Sequence, residues 1–375
     1  MPKRYHYIMK KSHSLSINLQ PPSLRGEHAP GSHRNLSPPL CLRIIFSLTL
    51  AGLLFCFLPH AFAAESLVVY SGRAERLIQP VLDAFHAKTG IHVKMLTGSS
   101  TALLNRLQAE GSRTPADVFI TNDAGTLERA RNLHLLRPME IPEIKQAIPE
   151  AFRAPDNSWV GLSGRIWVVA YNTNLVDPGH ITSILDLADP KWKGKIAIPN
   201  AGSVYLQSGI SVIRAVKGES ITEQFLKGLK ANAGTFVYGK NRQIVDAVAR
   251  GEVALGLVNH YYIFRHLAKH HDAPIALHIT DQDNGMGLIM NTTGIGVITY
   301  TKHLAETKAL VQFLVSSEGQ KMFANLNKEY PLRPGIPADP ALPPRKSFHV
   351  ANVPLTRLAE LRDPTMTAME HIGLR

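Results

Sequence analysis

The sequence predicts an α/β fold of two lobes with a ligand cleft between them, and three observations support this class. Short β-rich runs alternate with helical patterns, as expected for mainly parallel sheets flanked by helices. The chain has 375 residues, a length suited to about two domains. The alternation begins again near residue 166, so we expect each lobe to contain its own sheet.

The first series of elements follows strand, helix, strand, helix, strand, helix. Its strands are predicted at residues 67–70, 91–96 and 116–121, and its helices at 77–85, at 101–110 and after a cap at Asn122 or Asp123. The second series has predicted strands at 166–171, 195–198, 253–258 and 274–279, with a helix at 241–250. A late strand at 294–300 and helices at 303–315 and 318–326 complete the pattern.

The chain is expected to pass more than once between the lobes. We predict that lobe 1 comprises residues 64–165 and about 290–335, and that lobe 2 comprises residues 166–289 and about 336–375. The sequence contains no internal repeat and no low-complexity linker. The cleft would therefore be formed by loops at the strand ends.

Residues 1–63 have the pattern of an N-terminal extension followed by a signal peptide. Arg43 precedes an apolar stretch at 44–58, which ends in Ala61-Phe62-Ala63, a small-x-small site. We predict cleavage after Ala63 and a periplasmic location. The stretch is short for a membrane span, and a membrane anchor is the alternative interpretation.

Composition restricts the chemistry of the exported chain. Both cysteines, Cys41 and Cys56, lie before the predicted cleavage site, so disulfides, thiolate metal ligands and cysteine nucleophiles are excluded after it. The formal charge of +12 is concentrated at the N-terminus, because residues 1–63 contain seven Lys/Arg and one Glu. No basic run is long enough for a nucleic-acid arm, and we expect no nucleic-acid partner.

Two consecutive tyrosines, Tyr261 and Tyr262, lie where a predicted strand ends and a helix begins. Open parallel sheets bind ligands at this edge, and a helix N-terminus favours phenolate over phenol. Two phenolates suit a hard, highly charged cation, which would drive their deprotonation. The alternative is that both rings pack against the cleft wall.

Two arginines and a third tyrosine also lie near predicted strand boundaries. Arg73 follows the first strand, and Arg165 is expected to precede a strand; both adjoin a glycine, and guanidinium groups suit planar oxyanions. Tyr205 follows the strand at 195–198, near a helix start. Taken alone, Arg73 and Arg165 could be surface arginines, and Tyr205 could be a core or surface tyrosine.

The remaining candidates have weaker patterns. We interpret His260 as a structural neighbour of the tyrosines and Glu75 as a residue favoured by the dipole at a helix start. The histidines His266, His270 and His271 include i,i+4 spacing, which is able to bind metal, but a solvated helix face is the preferred interpretation. The sequence contains no phosphate-binding glycine loop, zinc-protease motif or nucleophile elbow.

From residue 64 onward, the chain resembles the periplasmic ferric-iron-binding proteins of bacterial ABC importers, which have the type II periplasmic-binding fold. The most discriminating match is Asn-His-Tyr-Tyr at 259–262. The other matching stretches are Val-Tyr-Ser-Gly-Arg at 69–73, Pro-Ala-Asp-Val-Phe at 115–119, Leu-Ser-Gly-Arg at 162–165, Ala-Tyr-Asn at 170–172, Ile-Pro-Asn at 198–200 and Glu-Tyr-Pro-Leu at 329–332.

The resemblance implies a set of ligands. It implies Fe(III) bound by Tyr261 and Tyr262, with Tyr205 matching the third tyrosine of many members. A synergistic anion, carbonate or another, would be held by Arg73 and Arg165. Ser71, Gly72 and Glu75 are possible additional contacts. Some members have a histidine after the first arginine, where this chain has Ala74-Glu75, so we expect anion oxygens to fill that position.

The resulting expectation is a monomeric binding protein, not an enzyme, that captures Fe(III) between the lobes and delivers it to an inner-membrane permease. The alternative is a binding protein for a small anion or organic solute, with the tyrosines only stacking or donating hydrogen bonds. A secreted enzyme with a tyrosine or histidine base is a third class, and nothing in the residue spacing supports it.

Overall fold

The computed structural model describes residues 66–374. The predicted signal peptide, its cleavage site and both cysteines lie outside the described residues. Within 66–374, no helix combines the length and apolar character that crossing a membrane would need.

Ten strands of the described chain form one continuous mixed sheet. They are β1 Ser66–Ser71, β2 His92–Thr97, β3 Val118–Thr121, β4 Leu136–Arg137, β5 Trp159–Asn172, β6 Ile196–Pro199, β7 Val237–Tyr238, β8 Leu255–Asn259, β9 Ile275–His278 and β10 Met290–Ile298. The order across the sheet is β2-β1-β3-β10-β5-β8-β6-β7, with β4 beside β10 and β9 beside β5.

Helices connect the strands and flank the sheet. They are α1 Glu75–Thr89, α2 Ser100–Glu110, α3 Ala124–Asn132, α4 Pro142–Ala147, α5 Val204–Ala233, α6 Asn241–Ala249, α7 His260–Leu267, α8 Leu304–Val315, α9 Ser317–Asn327 and α10 Leu358–His371. The cap of α3 is Asp123, whose carboxylate accepts from the amide of Thr126 at 3.0 Å. The predicted α/β class with helices flanking a sheet is confirmed.

Strand β5 joins two groups of strands. Its residues 159–166 pair antiparallel with β10, whereas residues 167–171 pair antiparallel with β8. On one side of this strand β1 is parallel to β2 and β3, and on the other side β6 is parallel to β7 and β8. The two groups correspond to the two predicted series of elements, and the lobe boundaries themselves stay a prediction.

One expected position is wrong. Arg165 lies inside β5 and pairs with Asn291 of β10, rather than preceding a strand. The local sequence Leu-Ser-Gly-Arg suggested a turn, but β5 is buried along almost its whole length. A strand covered on both faces shows no polar alternation, so its first half was not recognisable from periodicity.

The topology brings two helix starts together. Strands β6 and β8 are adjacent and parallel, with Ile196 opposite Leu255, so their carboxyl ends lie at the same edge of the sheet. Helix α5 begins four residues after β6, and α7 begins directly after β8. The side chains in the first turns of α5 and α7 are thereby placed side by side.

Candidate functional site

Three tyrosine side chains converge at the adjoining helix starts. Tyr205 is the second residue of α5, and Tyr261 and Tyr262 are the second and third residues of α7. The hydroxyl oxygens of Tyr205 and Tyr261 are 3.5 Å apart. The rings of Tyr261 and Tyr262 stack with centroids 4.3 Å apart. The arrangement gathers phenol groups from two separate segments into one cluster.

Burial keeps the phenols of Tyr261 and Tyr262 protonated when no cation is present. Burial, followed by the charges of Tyr205 and Tyr262, raises the pKa of Tyr261 well above its usual value, and Arg165 opposes this rise. Burial and then Tyr205 likewise raise the pKa of Tyr262. Three mutually repelling phenolates therefore need a multivalent cation to form together.

Both helices that carry the tyrosines begin without a side-chain cap. Neither Ser203 before α5 nor Asn259 before α7 makes a capping hydrogen bond. Uncapped helix starts leave free N–H groups and a partial positive charge at the turns that carry the cluster. Negative groups, whether phenolates or a small anion, are favoured at this point.

Arg165 lies beside the tyrosines and is only 1% exposed. Its guanidinium carbon lies 5.0 Å from the ring centre of Tyr205, and its Nη2 donates to the carbonyl of Asn122. Its Nε and Nη1 have no hydrogen-bond partner among residues 66–374. A buried cation with unused donors is costly unless a ligand completes it.

The unused donors of Arg165 are accompanied by others around a small cavity. Arg165, Trp167, Tyr205 and Asn259 are among the residues that line it. Trp167 Nε1 and Asn259 Nδ2 are also buried without a partner in the described part of the chain. The residues around the cavity thus carry four N–H-bearing atoms that lack acceptors in the described part of the chain, a composition that suits an anion.

Arg73 has a different environment, although it is equally buried. Its Nη2 donates to Glu329 at 2.8 Å, and its Nη1 donates to Thr293 at 2.7 Å. Its Nε lies 3.4 Å from the carbonyl of Leu77. Glu329 also accepts from Ser163 at 2.6 Å, so the ion pair is fully enclosed by protein. Every nitrogen of the Arg73 guanidinium already has an internal partner.

The loop after β1 is arranged by its own contacts. The hydroxyl of Ser71 accepts from the amide of Arg73 at 3.2 Å, which closes a tight turn. A Cβ at Gly72 would lie 2.1 Å from the hydroxyl oxygen of Ser100, so only glycine fits there. Glu75 is exposed at the first residue of α1. The contacts predicted for Ser71, Gly72 and Glu75 stay predictions.

The histidines supply no obvious metal centre. His260 is fully buried; burial lowers its pKa to about 3, and its Nδ1 accepts from the amide of Ile166 at 3.3 Å. His266 contacts Asp246 at 3.1 Å, and His270 is exposed. No group of three or more His, Cys, Asp or Glu side chains in residues 66–374 is arranged to hold a metal ion.

Several residues near the tyrosine cluster were not identified from the sequence. Glu329 lay within a recognised stretch, but nothing in one sequence marks it as the partner of Arg73. Trp167 lies in a buried apolar strand, where tryptophan is expected for packing alone. The charge of Arg76 lowers the pKa of Tyr262, which places this exposed residue of α1 within electrostatic reach of the tyrosines.

Comparison with known proteins places the chain in a family. The sequence profile of a family described as bacterial extracellular solute-binding protein matches residues 67–325. Iron uptake protein A1 of Synechocystis is 30% identical over 82% of this chain and 87% of its own length. The major ferric iron-binding protein of Neisseria meningitidis is 30% identical over 84% of this chain and 94% of its own.

A solved structure gives the same result for the fold. The Trichodesmium protein FutA in complex with iron and citrate is 33% identical, with a TM-score of 0.74 over 83% of this chain and all of that chain. The resemblance inferred from sequence motifs is therefore confirmed at the level of whole-chain similarity.

Proposed function

The chain belongs to the family of bacterial extracellular solute-binding proteins, and we propose that its solute is ferric iron, bound by the phenolates of Tyr205, Tyr261 and Tyr262 together with a small anion. As a member of this family it is a binding protein and not an enzyme. The observation that carries the proposal is the 3.5 Å approach of the Tyr205 and Tyr261 hydroxyls beside the stacked Tyr262.

The chemistry of the three tyrosines suits this cargo. Phenolate oxygens are hard, negatively charged donors, which a small trivalent ion prefers to nitrogen or sulfur. Burial raises the pKa of Tyr261 and of Tyr262, so the metal must displace their protons. Iron and citrate occur in the similar Trichodesmium structure, and this supports a shared ferric cargo and an anion partner.

The anion is carbonate or another synergistic anion, and Arg165 is its direct partner. The unpaired N–H groups of Arg165, Trp167 and Asn259 around one cavity support this assignment. Arg73 and Arg165 were both expected to hold the anion. Because the Arg73 donors are directed to Glu329, Thr293 and Leu77, we assign Arg73 an indirect role, fixing the loop that carries Ser71 and Gly72.

The proposal also covers where the protein works and where it delivers the iron. The relatives include an Fe(3+)-binding periplasmic protein of Serratia marcescens, 31% identical over 80% of this chain. We propose that this chain likewise works in the periplasm as a monomer and passes iron to the permease of an ABC importer. Occupancy by the metal and anion would favour closure of the two lobes around them.

A titration with a coloured product tests the iron site. Iron-free protein is mixed with a ferric chelate in bicarbonate buffer, and the visible ligand-to-metal charge-transfer band of phenolate–iron is recorded. We expect a saturable band in the unaltered protein and its loss or shift in Tyr261→Phe and Tyr262→Phe. Tyr300→Phe is the matched control, because Tyr300 is 48% exposed and lies beyond the end of β10. An unchanged band in the first two variants would disprove phenolate ligation.

The cavity of unpaired donors favours one second candidate, a receptor for a small anion without metal. In that case Arg165, Trp167 and Asn259 would bind the anion, and the tyrosine hydroxyls would donate hydrogen bonds to it. The same titration distinguishes the two, since an anion complex is colourless and would form equally well with iron absent.

A further inference from the structure

A second cavity, of about 260 Å³, lies away from the tyrosine cluster, between the strand β10 and the segment 330–345. We propose that it is a binding site for a small organic monocarboxylate, with the apolar body inside the cavity and the carboxylate at Arg333 and Arg345. This proposal does not depend on the iron function.

The floor of the cavity is apolar. Phe152, Met290, Leu332, Ile336 and Ala338 line it. A cavity of about 150 Å³ lined by apolar side chains is sufficient for benzene. The larger volume here accommodates an aromatic or branched aliphatic body together with a carboxylate. Apolar surface of this kind gains stability when a ligand covers it.

The charged side chains that line the cavity are all positive. Arg333 and Arg345 line the cavity, and no Asp or Glu is among its lining residues. The nearest acid along the segment, Asp339, is paired with Lys328. The cavity therefore presents two uncompensated cations beside an apolar floor, which selects for a ligand with one anionic end.

Both guanidinium groups are held in position before any ligand arrives. Nη1 of Arg333 donates to the carbonyl of Val315 at 3.1 Å, and Nη1 of Arg345 donates to that of Phe348 at 3.0 Å. The Arg345 guanidinium also lies over the Phe348 ring, 5.0 Å from its centre. No hydrogen bond joins Nε or Nη2 of either arginine to another of residues 66–374, so these groups can bind a carboxylate, and the existing contacts reduce the side-chain entropy lost on binding.

Backbone hydrogen bonds fix the wall of the cavity as well. Pro334 and Gly335, with φ of 80° at the glycine, turn the chain tightly between Arg333 and Ile336. The backbone of Tyr330 exchanges hydrogen bonds with Gly164 of β5 at 2.7 and 3.0 Å. A preformed wall lowers the cost of ordering a ligand-binding loop.

The cavity lies next to the part of the sheet that joins the two strand groups. Met290 pairs with Ile166 of β5, and β5 changes its partner from β10 to β8 directly after that residue. Tyr330, which also lines the cavity, packs its ring on His260, with centroids 5.0 Å apart. A ligand here would contact Tyr330, whose ring packs on the neighbour of Tyr261, without touching the tyrosine cluster.

Benzoate is the probe that tests the proposal, with benzamide as the neutral probe of the same shape and acetate as the carboxylate without an apolar body. Binding to the purified iron-free protein is measured by calorimetry and by ligand-detected NMR at constant salt. We expect saturable binding of benzoate that Arg333→Gln and Arg345→Gln each weaken by about tenfold or more.

Lys346→Gln is the matched control, because Lys346 is an exposed cation beside Arg345 that does not line the cavity. It should leave benzoate affinity unchanged. Benzamide or acetate binding as tightly as benzoate, equal weakening by Lys346→Gln, or no saturation below about 10 mM would each overturn the proposal. Since no iron is present, these outcomes are independent of the phenolate titration.

Discussion

Arg73 and Arg165 are equally buried, each only 1% exposed, yet their surroundings differ. Arg73 directs all its nitrogens to Glu329, Thr293 and Leu77. Arg165 has one backbone acceptor and leaves two nitrogens without partners beside a cavity. In the first region every guanidinium nitrogen has a partner within the protein, although Oε1 of Glu329 is buried without a hydrogen-bond partner among residues 66–374; the second region leaves arginine donors available for a ligand.

The difference teaches that burial alone does not identify a binding arginine. A buried charge is tolerated when a counter-ion and hydrogen bonds surround it, and this produces a structural ion pair. A buried charge with unused donors is tolerated when a ligand supplies the acceptors. The number of satisfied donors, rather than exposure, distinguishes the two arginines.

The largest expected effect comes from breaking the enclosed pair. Glu329→Gln keeps the shape of the side chain but leaves the Arg73 charge without a counter-ion, and we expect the free energy of unfolding to fall by about 3–5 kcal/mol. Urea unfolding of the iron-free protein measures this. The double variant Arg73→Met/Glu329→Leu removes both charges and should recover most of the loss. A cost below about 1 kcal/mol for Glu329→Gln would contradict an enclosed pair.

Replacing Arg165, which has unpaired donors, should weaken ligand binding but change the stability of the fold little. Arg165→Gln removes the principal anion contact, and we expect iron affinity in bicarbonate to fall by about 10- to 100-fold, as for loss of charge-assisted hydrogen bonds. The free energy of unfolding should change by less than about 1 kcal/mol, since few internal bonds are lost. Chelator competition with and without bicarbonate measures the effect.

Arg76→Gln is the control for general electrostatic attraction, because Arg76 is an exposed cation whose charge reaches Tyr262. Its effect on iron affinity should be several-fold smaller than that of Arg165→Gln. Equal loss of affinity in both variants, or loss that is the same without bicarbonate, would count against a specific anion contact at Arg165.

The surroundings of Arg73 and Arg165 also show which features of the fold and the site could be predicted from the sequence. The alternating elements and the strand-to-helix junctions at Tyr205 and Tyr261 were predicted, because local periodicity and motif spacing determine them. The pairing of Arg73 with Glu329 joins residues 256 positions apart, and no local pattern encodes it. The predicted position of Arg165 before a strand was also wrong, because a strand buried on both faces shows no alternation of polar and apolar residues.

Two elements were predicted incompletely or not at all: the start of α5 was expected near Tyr205 but its length was not, and α10 was not predicted. Helix α5 extends over 30 residues with a non-helical Gly218 in its middle, and α10 contains Pro364. Glycine and proline interrupt the local helix signal. In the structure two helical segments of α5 meet at a kink at Gly218, whereas α10 continues through Pro364. In α10, Asp363 accepts from Arg129 of α3, and the hydroxyl of Thr365 lies 3.1 Å from that of Ser211 in α5. A single sequence does not show these contacts.

The buried, neutral His260 should make the stability of the fold depend on pH. Burial lowers the pKa of His260 to about 3 in the folded chain, whereas an unfolded histidine has a pKa of about 6.5. Below that value the unfolded state binds a proton that the folded state does not, so stability should fall by about 1.4 kcal/mol per pH unit as the pH decreases towards the folded pKa.

His260→Asn should remove that part of the pH dependence. The free energy of unfolding is measured against pH on iron-free protein between about pH 4.5 and 6. The slope should be smaller than in the unaltered chain, by the amount that corresponds to the uptake of about one proton on unfolding. His271→Asn is the control, because His271 is exposed. Identical slopes for all three proteins would mean that His260 is protonated in the fold.

The smallest expected effect concerns the loop beside Arg73. Ser71→Ala removes a hydroxyl that accepts from the amide of Arg73 at 3.2 Å and donates to its carbonyl at the same distance. Such a turn contact contributes about 1 kcal/mol to the free energy of unfolding.

Ser71 was predicted as a possible anion contact, and its hydroxyl is buried within its own turn. We therefore expect the bicarbonate dependence of iron affinity to be unchanged in Ser71→Ala, measured by the same chelator competition. If that dependence falls as it does in Arg165→Gln, the region around Arg73 also contacts the anion, and the separation of the two arginines into structural and binding roles is wrong.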